Sequence, residues 1–168
     1  MLVLGIDPGT ATTGYGIVEE NDRNEIRAVA FGVVTTDAGI PAELRLLEIN
    51  KKINKIILLH RPDCGAVEKL FFQRNVTTAI AVGQARGVIL LSLAQAGLAV
   101  HEYTPNEVKQ VVTGYGAADK KQVQEMVRTI LNLKETPKPD DAADALAIAI
   151  CHIHACGYQK LEEIGGTR

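Results

Sequence analysis

The chain has no surplus of positive charge. Its 18 Lys and Arg against 20 Asp and Glu give a formal net charge of −2, and the pI is near 6.1. The global basic signature of a nucleic-acid binder is therefore missing, although a local patch on one face suffices for binding. Cysteine is scarce and odd in number (Cys64, Cys151 and Cys156), which argues against a disulfide scaffold and suits a reducing, cytoplasmic setting. No apolar run approaches the roughly 20 residues of a membrane span, and the most apolar stretch, Gly87 to Ala94, is flanked by Gln84, Arg86 and Gln95. The N-terminus has no basic stretch before its short apolar segment, so a secretory signal is not expected. Internal repeats, low-complexity tracts and linkers are also missing. What is present, 46% hydrophobic and 23% charged residues over 168 positions, is the composition of a soluble globular domain with a core of its own.

The hydropathy pattern predicts strands at 2–7, 15–20 and 25–35, joined by turns short enough for antiparallel neighbours. Pro41 to His60 carries Leu44, Leu47, Ile53, Ile56 and Ile57 at helical spacing and is stopped by Arg61-Pro62-Asp63. A strand at 64–68 precedes a helix from about Val76 to Gln95. That helix is apolar over most of its circumference and is expected to be buried on more than one side. A strand from Ala99 to Glu102 leads to Thr104-Pro105-Asn106-Glu107, a capping box with Pro at the first helical position. The short helix that follows ends at Gly114, and two more are predicted over 119–131 and 140–156. The order βββ-α-β-α-β-α-α-α describes a mixed α/β domain with a central sheet.

Acidic residues recur at the edges of apolar elements. Asp7 closes the first strand at the turn Pro8-Gly9, Glu68 ends the apolar stretch Cys64-Gly65-Ala66-Val67, and Asp141 and Asp144 open an alanine-rich helix. Asp141 and Asp144 share a helix face, about 4.5 Å apart along the axis; on spacing alone Asp140 and Asp144 would share one too. Capping by the helix dipole accounts for Asp140 but poorly for Asp144, which lies further in. Two carboxylates about 4 Å apart repel by roughly 4 kcal/mol at an effective dielectric near 20, so a convergent set requires a cation or retained protons. Oxygen ligands without nearby His or Cys select Mg²⁺ or Mn²⁺. Two such ions activate water and stabilise a leaving oxygen.

Several segments taken together resemble the RuvC family of Holliday-junction resolvases. They are Gly5-Ile6-Asp7-Pro8-Gly9 with Gly14-Tyr15-Gly16, Val67-Glu68 followed by Phe71, Gly83-Gln84-Ala85-Arg86-Gly87, Val108 to Gly114, Lys120-Lys121-Gln122-Val123 and Asp140 to Ala147. The resemblance runs to about Gly157. It implies a ribonuclease-H-like α/β fold over residues 1–157, with a central mixed five-stranded sheet (three antiparallel then two parallel strands) flanked by helices, and a C-terminal tail over 158–168. It implies Asp7, Glu68, Asp141 and Asp144 as ligands of Mg²⁺, two ions per site with Mn²⁺ able to substitute, and leaves Asp140 as a cap. It places a base-stacking aromatic at Phe71, which leaves Phe72 to packing or support. Lys109 and Lys120 match basic residues near the scissile phosphate, and Arg74, Lys121 and Arg86 are further basic candidates, Arg86 with a structural ion pair as its alternative. A zinc reading of Cys151-His152-Ile153-His154-Ala155-Cys156 fails on spacing, since only His152 and Cys156 share a helix face and no second ligand pair is evident; the tail is read as a helix end.

The expected function is a homodimeric, Mg²⁺-dependent endonuclease that nicks four-way DNA junctions symmetrically in recombination and repair. It would leave 5′-phosphate and 3′-hydroxyl ends and work beside the branch-migration proteins RuvA and RuvB. A two-fold junction presents two equivalent phosphodiesters to a C₂ dimer, and helix 76–95 is the candidate for part of its interface. One rival is a nucleotide-binding module, since Asp7 to Gly14 also resembles the first phosphate loop of the actin and sugar-kinase superfamily, but the chain has neither a second lobe nor a second loop. Other rivals are a ribonuclease-H-like nuclease for a different nucleic acid and a catalytically silent junction binder.

Overall fold

The computed structural model describes the backbone of residues 1–69 and 76–165 and the side chains of residues 1–69 and 79–157. Five strands, β1 (Leu2–Asp7), β2 (Thr12–Glu20), β3 (Ile26–Thr35), β4 (Cys64–Glu68) and β5 (Ala99–Tyr103), form one sheet in the order β3-β2-β1-β4-β5. The β3-β2-β1 pairings are antiparallel, and β1-β4 and β4-β5 are parallel, the mixed sheet expected from the sequence. The helices are α1 (Ala42–His60), α2 (Val76–Gln95), α3 (Pro105–Thr113), α4 (Lys120–Ile130) and α5 (Asp140–Gly165).

Two elements run longer than their sequence patterns suggest. β2 starts at Thr12 because Thr12, Thr13 and Gly14 pair with Thr35, Val34 and Val33; the glycine and threonines that read as a turn are held by ladder bonds. α5 continues to Gly165, well past the predicted 156.

Strand alternation divides the core into two layers. Leu4, Ile6, Ile17 and Val67 face α1 and α2, meeting Ile49, Ile53, Ile57, Ala85, Ile89 and Leu93. Val3, Val18, Cys64 and Ala66 face α5, with α3 and α4 packed beside it. The buried line of α1 is Ile49-Ile53-Ile57, whereas Leu44 and Leu47, expected in the core, stay exposed. α2 likewise buries only one face in the single chain. Its opposite face presents Ile80, Gln84, Gly87 and Leu91 as an open stripe.

Close seating of α5 depends on glycine. A Cβ at Gly14 would overlap the carbonyl oxygen of Asp141, one at Gly5 would overlap that of Ala145, and one at Gly16 would lie 2.9 Å from the Leu146 nitrogen. These three positions line the α5 face of β1 and β2 and form a trough in which helix backbone rests on strand backbone. In the register Asp7 stands directly opposite Gly14, so the trough that seats the first turn of α5 also places Asp141 beside Asp7.

Candidate active site

Asp7 and Glu68 end adjacent parallel strands, and strand alternation turns both side chains towards α5. The turn after Asp7 is pinned on several sides. The Thr13 hydroxyl donates to the Gly9 carbonyl (2.6 Å), the Thr10 hydroxyl to the Ala81 carbonyl on α2 (2.8 Å), and the Thr36 hydroxyl to the Thr10 carbonyl (2.6 Å). Each such bond contributes about 1 kcal/mol, and together they hold the end of β1 in place.

α5 brings Asp141 and Asp144 to the same end of the sheet. The consequence is electrostatic. Burial, then the carboxylates of Glu68, Asp144 and Asp141, push the Asp7 carboxyl up to about 8, with Lys120 opposing. Burial and Asp144 raise Glu68, against a hydrogen bond with Asp7 and the charges of Lys109 and Lys120. Asp144 is raised chiefly by burial, with Lys120 opposing. Asp7, Glu68 and Asp144, which cannot all ionise cheaply, form with Asp141 a site suited to a hard cation, which supplies the missing positive charge to oxygen donors. The cage is not drawn closed: among the described residues, no three of these carboxylates offer oxygens all within 4.8 Å of one another.

Lys120, the first residue of α4, reaches into the gap. Its ammonium lies 3.0 Å from Asp144 and 3.3 Å from Asp140. Burial pulls its pKa down, but the bonds to these carboxylates outweigh that and hold it up. Capping boxes fix the two helices that frame this region, Thr104 with Glu107 on α3 and Asp119 with Gln122 on α4. Between them opens a cleft of about 240 Å³, with Glu68, Asp144, Lys109 and Lys120 around apolar Val108 and Val123.

The other candidates fall elsewhere. Asp140, read as a cap, is the first residue of α5 and accepts from Gln124 (3.0 Å) and Lys120, so its bonds run across to α4. Lys121 lines a separate depression with Thr113 and Tyr115. Arg86 donates to the Glu68 carbonyl (3.1 Å) and pairs with Glu102, the structural alternative, and it thereby braces the strand end that carries Glu68. Phe71, Phe72 and Arg74 lie outside the described residues.

Sequence reasoning missed two features. The glycine trough lies in the Gly-Tyr-Gly motif, where two-residue alternation puts both glycines on one face of β2. Cys64 and His101 also escaped notice: they meet His152 beneath α5 from two separated strands, so the second ligand pair that the reading of His152 and Cys156 lacked was not evident in the sequence.

Comparison with known proteins gives one consistent result. A family profile described as "Crossover junction endodeoxyribonuclease RuvC" matches residues 3–152. A protein of that name from Chloroflexus aurantiacus is 60% identical over 154 residues, covering 92% of this chain and 93% of the relative. Another from Syntrophomonas wolfei is 50% identical over 168 residues, covering 100% of this chain and 97% of the relative. A solved structure described as "T. thermophilus RuvC in complex with Holliday junction substrate" superposes with a TM-score of 0.85 at 38% identity, over 94% of this chain and 96% of the other.

Proposed function

The chain belongs to the RuvC family of crossover junction endodeoxyribonucleases, and from that premise we propose that it resolves four-way DNA junctions by paired symmetric nicks. The observation that carries this reading is the gathering of carboxylates from β1, β4 and α5 at the mouth of a cleft flanked by Lys109 and Lys120. Asp7, Glu68, Asp141 and Asp144 hold the divalent cation, Mg²⁺ with Mn²⁺ as a substitute, at two ions per site. Bound there, the cation supplies water activation and charge neutralisation at the scissile phosphate. Asp7 gives up its proton when the cation site forms. Lys120, held beside Asp144, and Lys109, whose charge is felt at Glu68, present ammonium groups to the DNA phosphates, each neutralised phosphate adding about 0.9 to the salt slope of binding. In-line attack by water leaves 5′-phosphate and 3′-hydroxyl ends.

The nuclease domain spans residues 1–157, with residues 158–168 as its C-terminal extension. Phe71 stacks on an unpaired base, Phe72 serves in packing or support, and Arg74 and Lys121 add phosphate contacts. The open stripe Ile80-Gln84-Gly87-Leu91 on α2 supports a two-fold helix contact between protomers, with Gly87 allowing close approach. The two sites of such a dimer meet the two equivalent strands of a junction delivered by RuvA and RuvB, in a cytoplasmic setting; among the described residues, no helix is long and apolar enough to cross a membrane.

The test is cleavage of a labelled synthetic four-way junction beside a duplex of the same sequence, with Mg²⁺ and with EDTA. Paired symmetric nicks in the junction alone, lost with EDTA, are expected. Equal cutting of the duplex or of an RNA–DNA hybrid would retain the metal chemistry and refute the junction as substrate.

A further inference from the structure

Under α5, at the end of the sheet away from the carboxylates, lies a second group of metal-ligating side chains. Cys64 opens β4, His101 lies on β5 opposite Ala66, and His152 lies on α5. Their donor atoms all fall within 4.8 Å of one another. The two imidazoles stack at 4.1 Å between centroids. Cys156, one helical turn beyond His152, places its sulfur 3.5 Å from His152 Nε2. Along β4 the distance from Cys64 to Glu68 is roughly 13 Å at about 3.3 Å per residue, and along α5 from His152 to Asp144 roughly 12 Å. The two groups are therefore separate.

We propose that Cys64, His101, His152 and Cys156 form a structural site for a soft divalent cation, Zn²⁺ in chemical class, which ties α5 to strands β4 and β5. Two sulfurs and two imidazole nitrogens select Zn²⁺ over the hard Mg²⁺ of the carboxylate site. Metal–ligand distances of about 2.0–2.3 Å put tetrahedral donors roughly 3.3–3.8 Å apart, so binding requires the donors of Cys64, His101 and His152 to close by about 1 Å and Cys156, which touches the group through His152, to turn in as the fourth. Tyr103 orients His152: its hydroxyl oxygen lies 2.8 Å from Nδ1, and with the Nδ1–H donating to it, Nε2 keeps its lone pair for a cation, with the Cys156 sulfur beside the ring at 3.5 Å from Nε2 and 3.9 Å from Nδ1. Such an outer partner sets the tautomer of a ligating histidine. Burial and then His101 hold His152 down near 4, so its ring is neutral at physiological pH. Burial, then Cys156 and Asp63, push the Cys64 thiol up to about 11, so the cation displaces a proton on binding. His101 and Cys156, less buried than Cys64 and His152, give the ion a way in.

The experiment loads the chelator-stripped full chain with Zn²⁺ in competition with a chromophoric chelator, and with Co²⁺ as a spectroscopic probe. One Zn²⁺ per chain, a thiolate-to-Co²⁺ absorption band, and a melting temperature several degrees higher with Zn²⁺ are expected. Cys64→Ser and His101→Ala should each weaken Zn²⁺ binding by tenfold or more, Tyr103→Phe by roughly tenfold, and Asp7→Asn should leave it unchanged. His101→Ala, at a less buried position, keeps the test valid if Cys64→Ser fails to fold. Absence of the band, binding indifferent to both Cys64→Ser and His101→Ala, or binding lost in Asp7→Asn would overturn the proposal.

Discussion

Replacing Asp7 by Asn should stabilise the metal-free protein at alkaline pH while it abolishes cutting. In the folded chain the Asp7 carboxyl is raised from 3.8 to about 8, whereas in the unfolded chain it ionises as an ordinary aspartate. Between those limits the folded state retains a proton that the unfolded state has released. Stability is therefore greatest at the acid end and is lost as the pH rises towards 8. The full shift corresponds to about 6 kcal/mol, an upper bound because Asp7, Glu68 and Asp144 titrate as a coupled set in a site partly open to water. Discounting roughly half for screening leaves about 3 kcal/mol, equivalent to roughly 6–12 °C in melting temperature for a chain of this size. The assay is thermal melting of wild type and Asp7→Asn in EDTA from pH 5 to pH 9, repeated with Mg²⁺. The wild type should lose stability across that range and regain it with Mg²⁺. The variant should melt higher than wild type at pH 9 and respond little to Mg²⁺, binding junctions without cutting them. Parallel pH profiles for the two proteins would refute the account of a site destabilised by its own carboxylates.

Gly14→Ala should cost about 1–3 kcal/mol or more, because the new Cβ meets α5 backbone and cannot be relieved by a rotamer change; urea denaturation measures it, and cutting should fall with it. Lys109→Ala should slow junction cutting at unchanged melting temperature, and a lowered melting temperature with an unchanged rate would return the lysine to a structural role. Thr104→Ala removes the cap that accepts from the Glu107 amide (3.1 Å) and should cost about 1 kcal/mol of stability, read by denaturant midpoint. Leu91→Asp should shift the protein towards monomer in analytical ultracentrifugation while each chain stays folded.

Much of this arrangement is legible in the sequence because strands alternate and helices repeat. Asp7 and Glu68 are recognisable as strand-terminal acids, and the capping box at Thr104 announces α3 as it stands. Periodicity does not reveal which apolar residues a single chain leaves uncovered. Leu44, Leu47 and Leu91 fit the helical stripe as well as Ile49 and Ile53 do, and only packing separates them. Long-range pairings are equally silent. Lys120 and Asp144 are 24 positions apart, and no local pattern marks the salt bridge. Cys64 and His101 escaped for the same reason, since their meeting with His152 depends on the register of β4 against β5 and on where α5 lands.

The glycine trough has a mechanical consequence. Most helices lie on a sheet through a cushion of interleaved side chains, which absorbs small displacements by changing rotamers. Where α5 crosses Gly5, Gly14 and Gly16 that cushion is missing, and backbone bears on backbone. The helix behaves there as a beam on a hard fulcrum. A tilt imposed near His152 should therefore carry to Asp141 and Asp144 with little relief from side-chain rearrangement, which links the far end of α5 to the carboxylates.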